Sequence, residues 1–281
     1  MKKVLVSICV LLSALAVAKA QDVNKATELF NNAVEYYSSG SLDSALNKFV
    51  EAHKEASACG EEGADIVADC ETNIPVLGTQ IAKELASKGD YAAAVAKLQA
   101  LVKICESIGL ADDSAKFTKM IPQFYLQQAG QAVKAKDYVT ALAAYDNVLA
   151  LDPTNGKALL NKGQVLNATG DIAGAQSAFE LALANGQEKA AKRQLSNLFV
   201  KKAKAASGEK KYDDALAFAK QAISYDESEA NAYYLGGIAA QALNKNSEAI
   251  ELFEKYLVLK PSASNSQAVR QVVEALKKAA K

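Results

Sequence analysis

Cysteines are the residues of this sequence with the clearest potential for chemistry. The chain has four, and three of them, Cys59, Cys70 and Cys105, follow the first twenty residues. Cys59 and Cys70 are separated by a segment that contains Gly60 and Gly63. A chain can fold back over that length and bring two Cα atoms to the roughly 4.4–6.8 Å that a disulfide needs. We therefore predict a Cys59–Cys70 disulfide, with Cys105 packed as a small apolar residue. A Cys70–Cys105 bridge and three reduced thiols are the alternatives.

Catalysis and metal binding have little support. His53 is the one histidine of the chain, and an isolated helical histidine is more often a packing or surface residue than a catalyst. The acid pairs Asp112-Asp113 and Asp213-Asp214 fall at expected helix starts, where carboxylates cap free N–H groups. The residue types that ligate metals do not cluster along the chain, and no glycine-rich loop follows a strand. We therefore expect no enzyme activity, no cofactor and no metal.

The first twenty residues have the order of a secretory signal. Lys2 and Lys3 give a basic start, residues 4–17 are apolar apart from two serines, and Ala18-Lys19-Ala20 places small residues before Gln21. The apolar run would make about 21 Å of helix, which is short for a bilayer core of about 30 Å. This order predicts a signal peptide at 1–20. It also predicts an exported protein of the bacterial periplasm or cell envelope, with no integral membrane segment after cleavage.

Charge excludes one class of partner. The full chain has 32 basic and 32 acidic side chains, and residues 1–20 contain three lysines and no acid, so the processed chain carries a net charge of −3. A nucleic-acid-binding domain is usually strongly basic, and we therefore expect no nucleic-acid partner.

The chain has four prolines and no tryptophan. It is rich in alanine, leucine, lysine and glutamate, a composition that favours helix throughout.

A six-residue pattern recurs six times and ends in alanine each time. The copies are residues 40–45, 89–94, 136–141, 170–175, 210–215 and 244–249. Four residues after each alanine stand Phe49, Leu98, Tyr145, Phe179, Ala219 and Phe253. The alanines are separated by 49, 47, 34, 40 and 34 residues. Such a pattern predicts helical hairpins in which a tight turn is followed by a second helix. The small alanine would let the two helices of a hairpin approach closely. The aromatic residue would fill the groove between neighbouring units.

These residues resemble the tetratricopeptide repeat (TPR) signature, whose period is 34 residues. Asp152-Pro153 and Lys260-Pro261 occupy the closing proline position of the third and sixth copies, and Gly163 and Gly237 occupy the small position of the first helix in the fourth and sixth. The resemblance covers about residues 26–261 and extends to exported TPR proteins of the Bacteroidetes cell envelope. It implies an all-α TPR α-solenoid of about six helix-turn-helix units.

Four segments follow from this interpretation. They are the signal peptide at 1–20, repeats one and two with an insertion at 21–110, repeats three to six at 111–261, and a C-terminal capping helix at 262–281. The capping helix has one apolar stripe, formed by Val269, Val272, Val273 and Leu276. The two long spacings each lead into an Ile-Pro pair, Ile74-Pro75 and Ile121-Pro122. We expect each insertion to end there as a short helix or loop, because proline favours the first helical position. A continuous kinked helix is the alternative.

The TPR resemblance also implies a binding surface, because first helices line the concave side of stacked repeats in that family. Transferred by register, the groove-facing positions are Lys157, Asn161, Gln164, Asn197, Lys201, Lys204, Asn231, Tyr234 and Gln241. Amide side chains can bond both edges of a peptide backbone, and lysines favour an acidic group. The family's carboxylate clamp is not reproduced, because Leu160 stands where a lysine is expected. Residues 187–211 carry eight basic and two acidic side chains, which favours a solvated face over a binding patch.

The sequence thus predicts a monomeric exported TPR scaffold that binds a protein or peptide partner on its concave surface, in envelope assembly. A glycan- or peptidoglycan-associated binding protein is the alternative. An aromatic platform would favour it, and the close tyrosine pairs are Tyr36-Tyr37 and Tyr233-Tyr234. We expect Tyr36 and Tyr233 at packing positions, which weakens that alternative.

Processing of the signal peptide can be tested directly. We expect the protein recovered from the exporting bacterium to begin at Gln21, because a signal peptidase cleaves after the small residues at 18–20. N-terminal sequencing measures this. A retained Met1, or a product that is extracted only with membranes, would contradict the prediction.

Overall fold

A computed structural model describes the backbone of residues 20–279 and the side-chain environments of residues 23–279. The predicted signal peptide, except for the backbone of Ala20, lies outside the described residues. The described chain is all-α, with thirteen α-helices, one short 3₁₀ helix at Gly60–Gly63, and no strand. The helices are α1 Ala20–Ser38, α2 Leu42–Ala58, α3 Ala64–Ser87, α4 Tyr91–Ser107, α5 Ala111–Lys134, α6 Tyr138–Leu151, α7 Gly156–Thr169, α8 Ile172–Ala184, α9 Glu188–Gly208, α10 Tyr212–Tyr225, α11 Ala230–Ala242, α12 Asn246–Leu259 and α13 Ser266–Ala279.

The chain forms two compact units, Met1–Gln131 and Ala132–Lys281, and α5 crosses the boundary between them. In the first unit, α1 pairs with α2 and α3 with α4, and α2 packs on α3. In the second, the pairs are α7 with α8, α9 with α10 and α11 with α12, and consecutive pairs contact each other. Within each unit the hairpins are therefore stacked in sequence order, as in an α-solenoid, and the predicted fold class is confirmed.

The hairpin turns occur where the six-residue pattern begins. At all six first positions the backbone has a positive φ: Gly40, Gly89, Lys136, Gly170, Lys210 and Asn244. Glycine reaches this left-handed region without a Cβ penalty, whereas Lys136 at φ 60° and Lys210 at φ 61° adopt it despite their side chains. In three of the turns the following aspartate caps the second helix. For example, the Asp171 carboxylate accepts from the Gly174 N–H at 2.9 Å.

Close contact between the two helices of a hairpin depends on a glycine opposite an aromatic ring. A Cβ added to Gly163 would lie 2.6 Å from Cδ1 of Phe179, and one added to Gly237 would lie 2.6 Å from Cδ1 of Phe253. Phe179 has no exposed surface, and its buried cluster extends to Leu195 of the next hairpin. From the sequence, this ring was expected to lie between neighbouring repeat units. The contact with Gly163 shows that it also fills the space within its own hairpin.

The prediction for the two Ile-Pro pairs is wrong. Pro75 lies inside the 24-residue helix α3, and Pro122 lies inside the 24-residue helix α5. A proline in a helix interior lowers the stability of the helix by about 3 kcal/mol. Burial of an apolar stripe on both sides of the proline offsets that loss. In α3 the stripe runs through Cys70, Ile74 and Leu77, which are at most 3% exposed. The extra residues of these repeats therefore lengthen the first helices, and the continuous-helix alternative is the one observed.

The predicted capping helix forms as α13 and packs on α12. Val269 and Val273 are buried, and Val272 and Leu276 are half-buried against the same cluster. The Tyr256 hydroxyl donates to Asn265 Oδ1 just before the helix begins. The apolar stripe found in the sequence therefore covers the end of the last repeat.

We expect Phe179→Ala to lower the free energy of unfolding by about 3–5 kcal/mol, because the ring is fully buried and Gly163 leaves no side chain to fill the cavity. Val139→Ala is the matched control, since Val139 is on a second helix and is 81% exposed, and its effect should stay within about 0.5 kcal/mol. Chemical denaturation followed by circular dichroism measures both. Equal effects of the two substitutions would show that the repeat register is wrong.

Candidate binding surface on the first helices

The first helices of the second unit present a repeated polar surface. On α7, Lys157 and Gln164 are exposed, and on α9, Asn197, Lys201 and Lys204 are exposed with the spacing of one helix face. On α11, Asn231 and Gln241 are exposed. We call these seven residues, together with Asn167, the first-helix face. Seven of the nine residues predicted from the sequence thus have side chains available to a partner.

A hydrogen bond joins this surface across two hairpins. Lys201 Nζ of α9 donates to Asn167 Oδ1 of α7 at 3.0 Å, and the two residues are 34 positions apart, one repeat period. Because α9 also contacts α11, the three first helices are neighbours along the unit. Asn167 was not predicted from the sequence, although its spacing of 34 from Lys201 could have identified it.

Asn161 has a different role from the predicted one. It is half-buried, and its side chain hydrogen-bonds to Tyr145 of α6. Burial raises the pKa of Tyr145, and the bond with Asn161 partly opposes that rise. Asn161 therefore contributes to packing between consecutive hairpins, because its place on α7 turns it toward the preceding second helix.

Tyr234 is also largely a packing residue. Its ring lies 5.1 Å from that of Tyr256 and 6.3 Å from that of Phe253, both on α12, so it faces the second helix of its own hairpin. Tyr233 is buried as expected, whereas Tyr36 is 41% exposed and not at the packing position predicted for it. Neither tyrosine pair therefore offers two exposed rings as a platform for a sugar.

Salt bridges pair three of the six lysines on the second helices, Lys48, Lys97 and Lys220, with carboxylates. Lys97 of α4 pairs with Asp43 of α2, and Lys220 of α10 pairs with Glu248 of α12.

Lys202 of α9 contacts the second helices instead of the first-helix face. Its Nζ donates to Gln176 Oε1 at 3.1 Å and lies 4.9 Å from the ring centroid of Phe199 and 4.7 Å from that of Phe218. This cation–π site was not predicted from the sequence, although Phe199 and Lys202 have helical spacing.

His53 lies at the packed contact between α2 and α3. It is 7% exposed, with Nε2 3.3 Å from Glu71 Oε1. Ser57 Oγ is 3.5 Å from His53 Nδ1, and it donates to the His53 backbone oxygen at 2.7 Å. The serine proton is therefore directed at the helix backbone, and His53 acts as a polar packing residue. The acid pairs lie in the first turns of α5 and α10, as predicted.

The predicted Cys59–Cys70 disulfide is not formed in this structure, in which Cys70 and Cys105 are free thiols. Both are fully buried in the core of the first unit. Cys59 Sγ instead donates to the Glu55 backbone oxygen of its own helix at 3.2 Å. Because Cys70 faces the core of the helix stack and Cys59 sits half-exposed at the end of α2, the two thiols have different surroundings despite their short separation in sequence.

The described residues contain neither a metal-ligand cluster nor a helix suited to cross a membrane. In residues 20–279 no three or more histidine, cysteine or acidic side chains are grouped so that they could hold a metal ion. No helix in that range has the length and apolar character to cross a membrane.

Comparison with known proteins identifies the repeats of the second unit. Two family models, each described as tetratricopeptide repeat, match residues 132–198 and 200–264. These segments span α6 to α12, and the TPR prediction is confirmed there. No curated protein sequence matches the chain.

Several solved structures are similar to this chain at low identity. MamA from Desulfovibrio magneticus RS-1, residues 41 to the end, is 21% identical with a TM-score of 0.38, over 68% of this chain and 97% of that one. YrrB, described as a TPR protein with an unusual peptide-binding site, is 17% identical with a TM-score of 0.41, over 70% and 91%. PilW, described as a type IV pilus biogenesis factor, is 20% identical with a TM-score of 0.38, over 70% and 98%. Similarities this distant say nothing about what this chain binds.

The buried cysteines should be unreactive in the folded protein. Burial, with smaller contributions from nearby carboxylates, raises the pKa of Cys70 to about 12 and that of Cys105 to about 11. The thiolate is the reacting species, so at pH 8 we expect iodoacetamide to label both at least roughly a hundredfold more slowly in native protein than in urea. Mass spectrometry of a Cys59→Ser variant measures this. Labelling at similar rates in the two conditions would contradict the burial.

Proposed function

We propose that this chain is an exported scaffold that binds a protein or peptide partner on the first-helix face of its second unit, as part of the assembly of a bacterial cell envelope. The observation that carries the proposal is the Lys201–Asn167 hydrogen bond. It joins the exposed Lys201 and the half-buried Asn167, on two consecutive repeats, into one surface. A surface of this kind can hold an extended segment that runs across several first helices.

The side chains on this face suit a peptide backbone. Gln164, Asn197, Asn231 and Gln241 are exposed amides, and each has donors and an acceptor that can pair with backbone C=O and N–H groups. They project from helices that are fixed by buried hairpin contacts, so little ordering of the scaffold is needed on binding. Preorganisation of this kind lowers the entropic cost of association.

Export and location are part of the same proposal. The basic, apolar and small-residue order of the first twenty residues supports secretion, and a periplasmic or envelope-associated monomer would present the first-helix face to other envelope proteins. Catalysis has no part in this proposal, since the one histidine packs between two helices.

We expect Lys201→Glu combined with Lys204→Glu to lower partner recovery roughly tenfold without unfolding the protein, because both side chains are exposed on the first-helix face. Chemical crosslinking in envelope extract, followed by affinity capture and mass spectrometry, measures recovery. Circular dichroism melting checks the fold.

The control is Lys54→Glu combined with Lys255→Glu, which makes the same change of net charge at exposed positions on α2 and α12. It should leave recovery unchanged. If both double variants recover the same partners in the same amounts, the first-helix face is a solvated surface and the proposal fails.

A further inference from the structure

Acidic residues are nearly absent from the first helices of the second unit. The sequences of α7 and α11 contain no aspartate or glutamate. Helix α9 has one, Glu188, together with six lysine and arginine residues. The first helices of the first unit differ, since α3 has four acidic residues and one lysine. The positive charge is therefore specific to the second unit.

Several of these cations have no carboxylate partner. Glu188 is 2.6 Å from Lys192, and Lys162 points to Asp146 of the preceding helix. Within residues 23–279, by contrast, no acidic side chain pairs with Lys157, Lys201 or Lys204. The Lys201 ammonium donates to a neutral amide, Asn167, which leaves its charge uncompensated.

Such a face attracts anions even though the processed chain as a whole carries a net charge of −3. A group of like charges on one surface raises the local concentration of oppositely charged partners and speeds their encounter. Because the remainder of the chain is acidic, a polyanion is steered to this surface and away from others.

We propose, on the basis of the function given above, that the occupant of the first-helix face is an extended acidic segment of another protein. The exposed amides Gln164, Asn197 and Asn231 pair with its backbone, and Lys157, Lys201 and Lys204 pair with its carboxylates. This division of roles matches the interleaving of amides and lysines along α7 and α9.

A peptide fits these residues better than other polyanions do. Single-stranded nucleic acid is usually bound by exposed aromatic rings on which bases stack, whereas Phe199 and Tyr233 are buried and Tyr234 packs on α12. A membrane-binding helix presents large apolar side chains beside its cations, and α9 has small or polar residues at its exposed positions.

The test uses fluorescein-labelled ten-residue peptides added to the full processed chain, with binding followed by fluorescence anisotropy. The peptides are a Glu/Ser sequence, a Lys/Ser sequence and a Gly/Ser sequence. We expect binding of the Glu/Ser peptide alone, weakening as salt is raised. Lys201→Gln with Lys204→Gln should weaken it about tenfold, since each exposed ion pair contributes up to about fivefold in affinity. The control Lys54→Gln with Lys255→Gln should leave the affinity within about twofold.

The inference is overturned if the Glu/Ser peptide does not bind at low salt, or if the three peptides bind equally. It is also overturned if the two double variants have equal affinity for the Glu/Ser peptide. Tighter binding of an anionic vesicle, or of an oligonucleotide of equal charge, would overturn it as well. Light scattering that shows self-association through this face would assign it to a second copy. A crosslinked partner that contacts the first-helix face through a neutral or basic segment would support the proposed scaffold function. The same result would overturn the proposed preference for an acidic segment.

Discussion

The structure depends on the close approach of two helices within each hairpin. Where Gly163 meets Phe179 and Gly237 meets Phe253, the aromatic ring occupies the space that a Cβ would take. The alanines of the repeated pattern, such as Ala175 and Ala249, are fully buried at the same contact. This contact fixes the rotation of α7 and α11 about their axes, and it therefore decides which of their side chains are buried and which are exposed.

Much of this architecture could be predicted from the sequence, because the turn is a local constraint. All six turns found by sequence comparison have a left-handed residue at the same position, including Lys136 and Lys210, which are not glycine. The long helices were predicted only as the alternative, because Pro75 and Pro122 are unfavourable locally and are accommodated only by burial of their neighbours. The buried thiol of Cys70 was misjudged for a related reason: spacing along the chain does not show which side chain faces the core.

The exposure of the proposed binding residues could be predicted as a set of positions and less well residue by residue. Lys157, Gln164 and Asn197, which register assigned to the groove side, are exposed. Register failed for Asn161 and Tyr234, whose partners Tyr145 and Tyr256 lie on neighbouring helices that register alone does not orient. The uncompensated charge of Lys201 was likewise beyond sequence analysis, because a count of basic residues does not show which of them have carboxylate partners. Charge distinguishes the first-helix face from the second helices, because α7, α9 and α11 together contain a single acidic residue.

Site-specific photocrosslinking in cells that express the protein tests whether a partner binds the first-helix face. A photoreactive phenylalanine analogue is placed at Gln164 or Asn197 on first helices, and at Glu180 or Lys255, which are exposed on second helices. We predict that a shared partner is crosslinked from Gln164 and Asn197 and not from the other two positions. Crosslinking of that partner only from Glu180 and Lys255, or equally from all four positions, would contradict it.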